Sequence, residues 1–289
     1  MHHVTLKPVI YGSAVSKLLK IKGTVNAISG LGYNFTGERK GLVQKMMISL
    51  MKYGFKQKNL GVIFQNEDDY KELNNLRILR PSNNIFFIKG SGVDLKTFKQ
   101  FPFPNREKII ILLPIRVLWD KGVMELRRAS ELLKEKYQNK IKFVLSGLAD
   151  VENRAGVTEE FLKDWEEEGY VSWIGYQKDM INIYKNSDIV VLPSYREGMP
   201  KSLIEACAIG RPIVTTNAIG CRECVEEGKN GYKVPIKSIE DLARAIEKLI
   251  ISEEDRIRMG NYSRRKAEKE FSQEIVVNRH LEIYEHLYE

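Results

Sequence analysis

The sequence predicts an α/β protein built on parallel β-sheets, and two observations support this class. Short apolar runs rich in β-branched residues alternate with longer segments of helical periodicity, a pattern typical of parallel sheets. Glycine or proline follows several of the apolar runs and marks the turns between elements. The 289 residues, of which 43% are hydrophobic, are enough for two domains of ordinary size.

The first hundred residues contain three predicted strands and three predicted helices. The strands are residues 23–29, 59–64 and 84–89. The helices are residues 8–19, 38–55 and 67–79. Residues 94–106 carry two prolines and are predicted to be a linker. We therefore predict a first domain over residues 1–105, with this linker included.

A second alternating series follows the linker. The predicted strands are residues 108–113, 141–146, 170–174, 187–193, 212–215 and 230–234. The predicted helices are residues 122–135, 159–168, 179–185, 201–209, 239–250 and 253–271, with a last helix at 273–287. We predict a second domain over residues 106–271 and a separate C-terminal helix over 272–289.

The sequence SYREGMPKSLIEACAIG, residues 194–210, carries the most specific pattern in the chain. It follows a predicted buried strand, places the flexible Gly198 in a turn, and puts Pro200 in the first turn of a helix. The N-terminus of that helix offers unpaired N–H groups and a positive dipole end to an anion. Glu197 and Glu205 bracket this predicted anion site, although two solvated glutamates would give the same spacing.

Together with its flanking residues, this pattern resembles the signature of the retaining glycosyltransferases of family four. The resemblance implies the GT-B architecture of two Rossmann-like domains, each with a parallel sheet. It also implies that Glu197 faces the transferred sugar and that Glu205 holds the nucleotide ribose. The segment expected to cradle the donor diphosphate consists of Gly198, Met199, Pro200, Lys201, Ser202 and Leu203.

The resemblance covers nearly the whole chain. Residues 1–38 resemble the middle of the N-terminal domain of bacterial transferases that act on polyprenyl-diphosphate-linked sugars, and residues 90–94 resemble the family's domain crossover. The β-α units that open the family's first domain have no counterpart here, so we expect an incomplete N-terminal domain. The last helix resembles the one that crosses back onto that domain.

Arg116 and Lys121 follow the predicted strand at 108–113. Ligands of parallel sheets bind outside the carboxyl ends of strands, which is where these two cations fall. The resemblance implies that the pair binds the donor diphosphate and stabilises the departing nucleotide. The alternative is two surface cations that flank a loop. No Asp-x-Asp occurs, so we expect a metal-independent enzyme that needs no cofactor beyond its UDP-sugar substrate.

Other candidate residues follow neighbouring strands. Gly147 is expected to let the backbone approach the nucleotide, and Gly175 with Tyr176 resembles the family's segment beneath the nucleobase; ordinary turn glycines are the alternative. The resemblance also implies a first-domain histidine near the reacting sugar, for which His3 is the better candidate. The alternative for His3 is a frayed terminus or a tag.

Composition limits the partners and the compartment. The net charge of +8 favours anionic partners, but no interleaving of basic and aromatic residues indicates nucleic-acid binding. Three cysteines are too few for a disulfide framework, and no signal peptide or apolar run of ~18 residues is present. We expect a cytoplasmic protein. Lys45, Lys52 and Lys56 line one edge of the predicted helix 38–55, which indicates either peripheral membrane binding or a core helix with a solvated edge.

The leading hypothesis is a retaining glycosyltransferase that moves a hexose or N-acetylhexosamine from a UDP-sugar to a polyprenyl-diphosphate-linked saccharide. Such an enzyme would work in glycan or surface polysaccharide synthesis at the inner face of a bacterial membrane. The alternative is a nucleotide-sugar-binding module that is inactive without a complementing N-terminal domain.

Overall fold

The computed structural model describes residues 1–32, 41–137, 139–150, 152–153 and 155–288, so the beginning of the predicted helix 38–55 lies outside the described residues. The chain forms two compact units. The first unit comprises Met1–Gly92, Glu197–Met199 and the chain from Gln273 onward, and the second comprises Val93–Arg196 and Pro200–Ser272. The predicted domain limits at residues 105 and 271 stay predictions.

The first unit contains a four-stranded parallel sheet. Its strands, in spatial order, are β1 (His2–Val4), β2 (Thr24–Ile28), β3 (Leu60–Phe64) and β4 (Asn84–Phe87). Its helices include α1 (Leu6–Leu18), α2 (Leu42–Gly54) and α3 (Glu67–Asn75). Because every residue of β3 is buried, the two faces of this sheet are both covered.

The sequence pattern did not predict β1. The expected alternative of a frayed terminus is wrong for these residues, because β1 pairs in parallel with β2 from His2 opposite Val25 to Val4 opposite Ala27. Three residues are too few to show a strand period, and their extended conformation depends on the pairing with β2.

The second unit contains a six-stranded parallel sheet. Its strands are β5 (Ile109–Pro114), β6 (Ile141–Ser146), β7 (Val171–Trp173), β8 (Ile189–Leu192), β9 (Ile213–Thr216) and β10 (Gly231–Val234). Its helices are α4 (Val123–Tyr137), α5 (Glu159–Glu166), α6 (Met180–Lys185), α7 (Lys201–Ile209), α8 (Ile239–Ile251) and α9 (Glu253–Lys266). A π-helical turn, Ala267–Phe271, follows α9 where the sequence predicts one continuous helix.

The strand order of this sheet is β10-β9-β8-β5-β6-β7. The chain winds outward from β5 to β7 and then returns to the other side of β5 with β8. The neighbouring strands β5 and β8 therefore mark the point where the winding direction reverses, and ligands of open α/β sheets bind at such points.

A buried arginine attaches the predicted linker to this unit. The guanidinium of Arg211 donates hydrogen bonds to the backbone carbonyls of Phe101, Pro102 and Lys185 at 2.8, 3.0 and 2.9 Å. Burial lowers the pKa of Arg211 to about 10. The three carbonyls replace the water that the guanidinium loses on folding.

The last helix, α10 (Gln273–Tyr288), belongs to the first unit. Val276, Ile283 and Leu287 of α10 pack with Val25 and Ile63 of the sheet. The opposite face of the sheet carries a separate core that includes residues of α1, α2 and α3. Among the described residues, none of the helices is both long enough and apolar enough to traverse a bilayer.

Candidate functional site

A cavity of about 560 Å³ opens at the carboxyl ends of β5 and β6 in the second unit. Five of the sequence-predicted site residues line it: Arg116, Gly147, Tyr176, Ser202 and Glu205. They come from the loops after three strands and from the first turns of α7. The position next to the reversal point between β5 and β8 is the one that the sheet topology favours for a ligand.

Arg116 supplies the cationic side of the cavity. Its side chain is 69% exposed, and its guanidinium lies 3.7 Å from the carboxylate of Asp150, which also lines the cavity. An exposed pair at this distance is weak, so the guanidinium is available to an anion that enters the cavity.

Gly147 allows the loops after β5 and β6 to pack closely. Its φ is +154°, and an added Cβ would lie only 1.5 Å from the carbonyl oxygen of Ile115. Trp173 Nε1 donates to the Gly147 carbonyl at 2.8 Å, and the Gly147 amide donates to the Gly175 carbonyl, also at 2.8 Å. Glycine is therefore required here by the neighbouring backbone, and Gly147 also forms part of the cavity wall.

Lys121 lies in a short 3-10 turn, Trp119–Lys121, and is not among the residues that line this cavity. Gly122, with φ of +75°, ends the turn, and an added Cβ would lie 2.2 Å from the carbonyl oxygen of Pro193. The Tyr195 amide donates to the Asp120 carbonyl at 3.0 Å. The loop that carries Lys121 is therefore held against the segment that follows β8.

Tyr195 in that segment anchors the loop to α4. Its hydroxyl donates to the Glu125 carboxylate at 2.7 Å. Burial raises the pKa of Tyr195, and the hydrogen bond to Glu125 raises it further, so the phenol keeps its proton and remains a donor.

Glu205 presents a nearly buried carboxylate to the cavity. Its side chain is 12% exposed and lies 3.8 Å from the Lys201 ammonium one turn earlier on α7. Burial raises the pKa of Glu205, and Lys201 opposes that effect only in part. A carboxylate in this position is suited to accept hydrogen bonds from hydroxyl groups of a ligand.

The sequence misplaced Pro200 by one position. Pro200 is the N-cap of α7, with φ of −70° and ψ of 117°, and not a residue of the first turn. Its carbonyl accepts hydrogen bonds from the amides of Leu203 and Ile204 at 3.1 and 3.3 Å. Proline has no backbone N–H, so Pro200 leaves no donor without a hydrogen-bond partner at the start of the helix. Gly210 is the C-cap of α7, with φ of +80°.

The turn Glu197–Met199 belongs to the first unit. Gly198 approaches the end of β2 so closely that an added Cβ would lie 1.7 Å from the carbonyl oxygen of Ser29. Asn66 Nδ2 donates to the Gly198 carbonyl at 3.1 Å. The sequence indicated a flexible glycine at this position, whereas the structure shows that close backbone packing requires it. The predicted convergence of Glu197 with Arg116 and Lys121 stays a prediction.

His3 is buried in the first unit. Its Nδ1 lies 2.9 Å from Asn26 Oδ1, and its Nε2 lies 3.5 Å from the hydroxyl of Ser16. Gly12 leaves room for the ring, because a Cβ there would lie 2.3 Å from it. These contacts explain the position of His3, and its catalytic role stays a prediction.

Asp150 and Tyr184 are among the cavity residues that the sequence interpretation missed. Asp150 follows β6 at the same sheet edge as Arg116, so its position after a strand was an available signal. No such signal was available for Tyr184 on α6. An aromatic residue in a helix is typical of the hydrophobic core, and the Tyr184 side chain is fully buried. Among the residues that the structure describes, no group of three His, Cys, Asp or Glu side chains is arranged to hold a metal ion.

Comparison with known proteins identifies the family. The family model described as glycosyl transferases group 1 matches residues 94–266. A Campylobacter jejuni relative, N,N'-diacetylbacillosaminyl-diphospho-undecaprenol alpha-1,3-N-acetylgalactosaminyltransferase, is 32% identical over 95% of this chain and 73% of its own length. The capsular polysaccharide biosynthesis glycosyltransferase CapM of Staphylococcus aureus is 32% identical over 68% of this chain, which spans 50% of that relative.

Solved structures share the fold at low sequence identity. Sucrose-phosphate synthase of Thermosynechococcus elongatus aligns with a TM-score of 0.82 and 19% identity, over 99% of this chain and 73% of its own. Anabaena Alr3699/HepE in complex with UDP aligns with a TM-score of 0.81 and 16% identity, over 99% of this chain and 78% of its own. The expected α/β fold of GT-B type, with two Rossmann-like parallel sheets, is confirmed. The chain thus belongs to the glycosyl transferases group 1 family.

Proposed function

We propose that this protein is a retaining glycosyltransferase that moves a hexose or N-acetylhexosamine from a UDP-sugar to a polyprenyl-diphosphate-linked saccharide. The observation that carries the proposal is the cavity after β5 and β6, where the cation of Arg116 and the carboxylate of Glu205 line one space. A nucleoside diphosphate needs both kinds of group: a cation for its phosphates and an acceptor for its ribose hydroxyls.

The choice of donor and acceptor has separate support. HepE, which shares the fold, is described in complex with UDP and with UDP-glucose. The Campylobacter relative is named for transfer to a diphospho-undecaprenol-linked sugar. We propose that this chain uses the same kind of donor, a UDP-sugar, and the same kind of acceptor, a lipid-linked sugar. We further propose that it is a cytoplasmic enzyme that acts peripherally at the inner face of a bacterial membrane.

The proposed mechanism is electrostatic. Negative charge grows on the diphosphate as its bond to the sugar breaks, and Arg116 and Lys121 lower the barrier by facing that charge. No metal is needed in this scheme. Glu205 accepts from the ribose hydroxyls and Glu197 from the hydroxyls of the transferred sugar. His3 is the candidate for a first-domain group near that sugar.

The start of α7 is proposed to bind the diphosphate through its backbone amides. The residues concerned are Gly198, Met199, Lys201, Ser202 and Leu203, together with Pro200, which has no N–H and is proposed only to shape the turn. The Leu203 side chain is fully buried and its amide donates to the Pro200 carbonyl at 3.1 Å, so the part proposed for Leu203 is to hold the helix start in place. Gly147, Gly175 and Tyr176 are proposed to lie along the nucleoside, where the 67% exposed ring of Tyr176 offers a stacking surface.

The test is transfer from UDP-N-acetylgalactosamine, UDP-N-acetylglucosamine and UDP-glucose to a polyprenyl-diphosphate-linked sugar. We expect product with the anomeric configuration of the donor, which NMR of the product determines. Glu197→Ala and Lys121→Ala should each lower kcat by at least about a hundredfold. Lys140→Ala, an exposed lysine between α4 and β6, is the matched control and should leave kcat unchanged. Inversion of configuration, or activity retained by Lys121→Ala, would refute the proposed mechanism.

The second candidate is a nucleotide-sugar-binding module that needs a complementing polypeptide. The alignments cover 73% of the first relative's length and 50% of the second's. Calorimetry separates the candidates. UDP binding without turnover, followed by turnover when the N-terminal part of a relative is added, would support the module.

A further inference from the structure

We propose that Tyr195 and Glu125 are positioning residues that hold the loop carrying Lys121, and that they affect the donor diphosphate only through Lys121. The inference rests on the proposed function, in which Lys121 faces the diphosphate of a UDP-sugar. It deepens that function by assigning a role to two residues that contact neither the sugar nor the nucleotide in that scheme. All three residues belong to the second unit.

Lys121 lies between two residues that are bound to Tyr195. The Tyr195 amide donates to the Asp120 carbonyl at 3.0 Å, immediately before Lys121, and the Ser194 hydroxyl donates to the same carbonyl at 3.3 Å. The Tyr195 hydroxyl donates to the Glu125 carboxylate at 2.7 Å, four residues after Lys121. One residue of the segment after β8 therefore fixes the chain on both sides of the lysine.

Backbone contacts leave this loop little freedom to move. Gly122 follows Lys121 directly and packs against Pro193, so that an added Cβ would lie 2.2 Å from the Pro193 carbonyl oxygen. On the other side of the loop, the Trp119 amide donates to the Ala155 carbonyl at 2.8 Å. The backbone at Lys121 is therefore held by two neighbouring segments, and the Tyr195–Glu125 hydrogen bond adds the link to α4.

Glu125 is buried although its carboxylate has few donors. The residue is 9% exposed, and its Oε2 is buried without a hydrogen-bond partner in the part of the chain that the structure describes. Such an atom costs free energy, because it has lost the water that it binds in the unfolded chain. Stability alone would favour an apolar residue at this position, whereas a fixed acceptor for the Tyr195 hydroxyl requires an oxygen there.

The ring of Tyr195 is held independently of its hydroxyl. Lys237 Nζ lies 5.1 Å from the centre of the ring, within the range of a cation–π contact. Phenylalanine keeps this contact and loses only the hydroxyl. Tyr195→Phe therefore tests the hydrogen bond to Glu125 without emptying the space that the ring fills.

A small displacement of Lys121 is sufficient to affect a bound diphosphate. Electrostatic stabilisation requires a cation that is already in place when charge develops, and a misplacement of about 1 Å can cost about a hundredfold in rate. Because the lysine is proposed to face the phosphates, its displacement should affect ligands that carry a diphosphate and should not affect the nucleoside alone.

Calorimetry with UDP and with uridine tests the inference. Tyr195→Phe should weaken UDP binding about fivefold and leave uridine binding unchanged. Glu125→Ala should match Tyr195→Phe. Glu125→Gln keeps an oxygen that can accept from the hydroxyl, so it should bind UDP nearly as the native chain does. A merely structural role would weaken the binding of both ligands to the same extent.

A double-mutant cycle with Lys121→Ala isolates the path of the effect. Lys121→Ala alone should weaken UDP binding about tenfold. The addition of Tyr195→Phe should weaken it no further, since the residue through which the hydroxyl acts is gone. In the transfer assay, Tyr195→Phe should lower kcat about tenfold, and the double variant should have the kcat of Lys121→Ala.

Tyr170→Phe is the matched control. It removes a hydroxyl that lies 3.0 Å from the hydroxyl of Ser130, which belongs to α4 as Glu125 does. Its binding of UDP and of uridine should equal that of the native chain. Circular dichroism and thermal unfolding verify that all the variants fold.

The inference is overturned if the native chain binds no UDP or if Lys121→Ala binds UDP as tightly as the native chain. It is also overturned if Tyr195→Phe leaves UDP binding unchanged, weakens UDP and uridine binding equally, or has its full effect in the Lys121→Ala background. UDP binding requires no turnover. The expected binding pattern without sugar transfer would support the inference and refute the transferase activity, so the two failures are distinguishable.

Discussion

Tyr184 donates a hydrogen bond of 3.0 Å from its buried hydroxyl to the backbone carbonyl of Ser202, in the first turn of α7. The same hydroxyl interacts with the carboxylate of Glu205. Burial raises the pKa of Tyr184 well above its ordinary value, and Glu205 raises it further. One phenol from α6 therefore positions both the helix start and the carboxylate that line the cavity.

Tyr184→Phe should raise the KM for the donor several-fold and leave kcat nearly unchanged. The substitution removes the hydrogen bond from the hydroxyl to the Ser202 carbonyl, which costs about 1 kcal/mol and loosens the position of Glu205. Steady-state kinetics and UDP calorimetry measure the effect. Tyr137→Phe, which removes a hydroxyl bonded at 2.9 Å to Glu247 outside the cavity, is the control. A tenfold loss in kcat with unchanged KM would contradict a purely positioning role.

Glu205→Gln should make the ligand-free protein more stable at pH 7 than the native chain, and nearly equal to it near pH 4.5. Burial raises the pKa of Glu205 above its ordinary value of 4.5. The folded state then holds this proton more tightly than the unfolded state. Stability is consequently lost as the pH rises from 4.5 through the raised pKa.

Thermal unfolding across this pH range measures the difference between Glu205→Gln and the native chain. Glu159→Gln, at an exposed glutamate of α5, should show no such pH-dependent difference. A gap between Glu205→Gln and the native chain that stays constant with pH would argue against burial as the cause.

Gly147→Ala should destabilise the protein by more than about 3 kcal/mol, because both the φ of +154° and the carbonyl of Ile115 oppose a Cβ. Gly169→Ala separates the two causes. Gly169 has φ of +81° and nothing within 4 Å of an added Cβ, so its substitution should cost only about 1 kcal/mol. Chemical denaturation measures both variants, and equal losses would show that the close approach to Ile115 relaxes at little cost.

Asp150→Asn should tighten UDP binding about threefold. The carboxylate lies 3.7 Å from Arg116 at the cavity wall, where it competes with an entering diphosphate for the guanidinium. Calorimetry at low and high salt measures the change, which should shrink as the salt concentration rises. Weaker UDP binding by Asp150→Asn would show instead that the carboxylate accepts a hydrogen bond from the ligand.

Transfer activity should survive EDTA. In the proposed mechanism, Arg116, Lys121 and the N-terminus of α7 supply the positive charge that faces the diphosphate. The measurement is the initial rate with and without chelator, followed by addition of Mg²⁺ or Mn²⁺. Complete loss of activity with EDTA and recovery with metal would refute metal independence.

Much of the fold could be predicted because most strands and helices show their own period. The bounds of β6 (Ile141–Ser146) and α7 (Lys201–Ile209) are those that the sequence predicts. The strand β1 could not be predicted, because its three residues are extended only through their pairing with β2. The spacing of apolar residues predicts a helix or a strand only when the element is long enough to show its period.

The cavity was partly predictable for a similar reason. Arg116 and Gly147 follow closely after β5 and β6, and Glu205 lies on the helix that follows β8. The sheet topology brings the ends of these three strands together. The contact between Tyr184 and the first turn of α7 depends on how α6 packs, which no spacing in the sequence reveals. The same holds for Arg211, whose carbonyl partners Phe101, Pro102 and Lys185 come from two segments distant from it in sequence.

Residues 1–66 contain ten lysines and arginines but a single acidic residue, Glu38, and this scarcity of acidic residues affects how the molecule approaches a surface. A stretch of chain rich in basic residues is attracted to an oppositely charged plane over a range of about 8–10 Å at physiological salt. This attraction would raise the rate at which the first 66 residues meet such a plane. The ionic strength of the medium would then affect the rate of association with the plane, separately from the rate of dissociation.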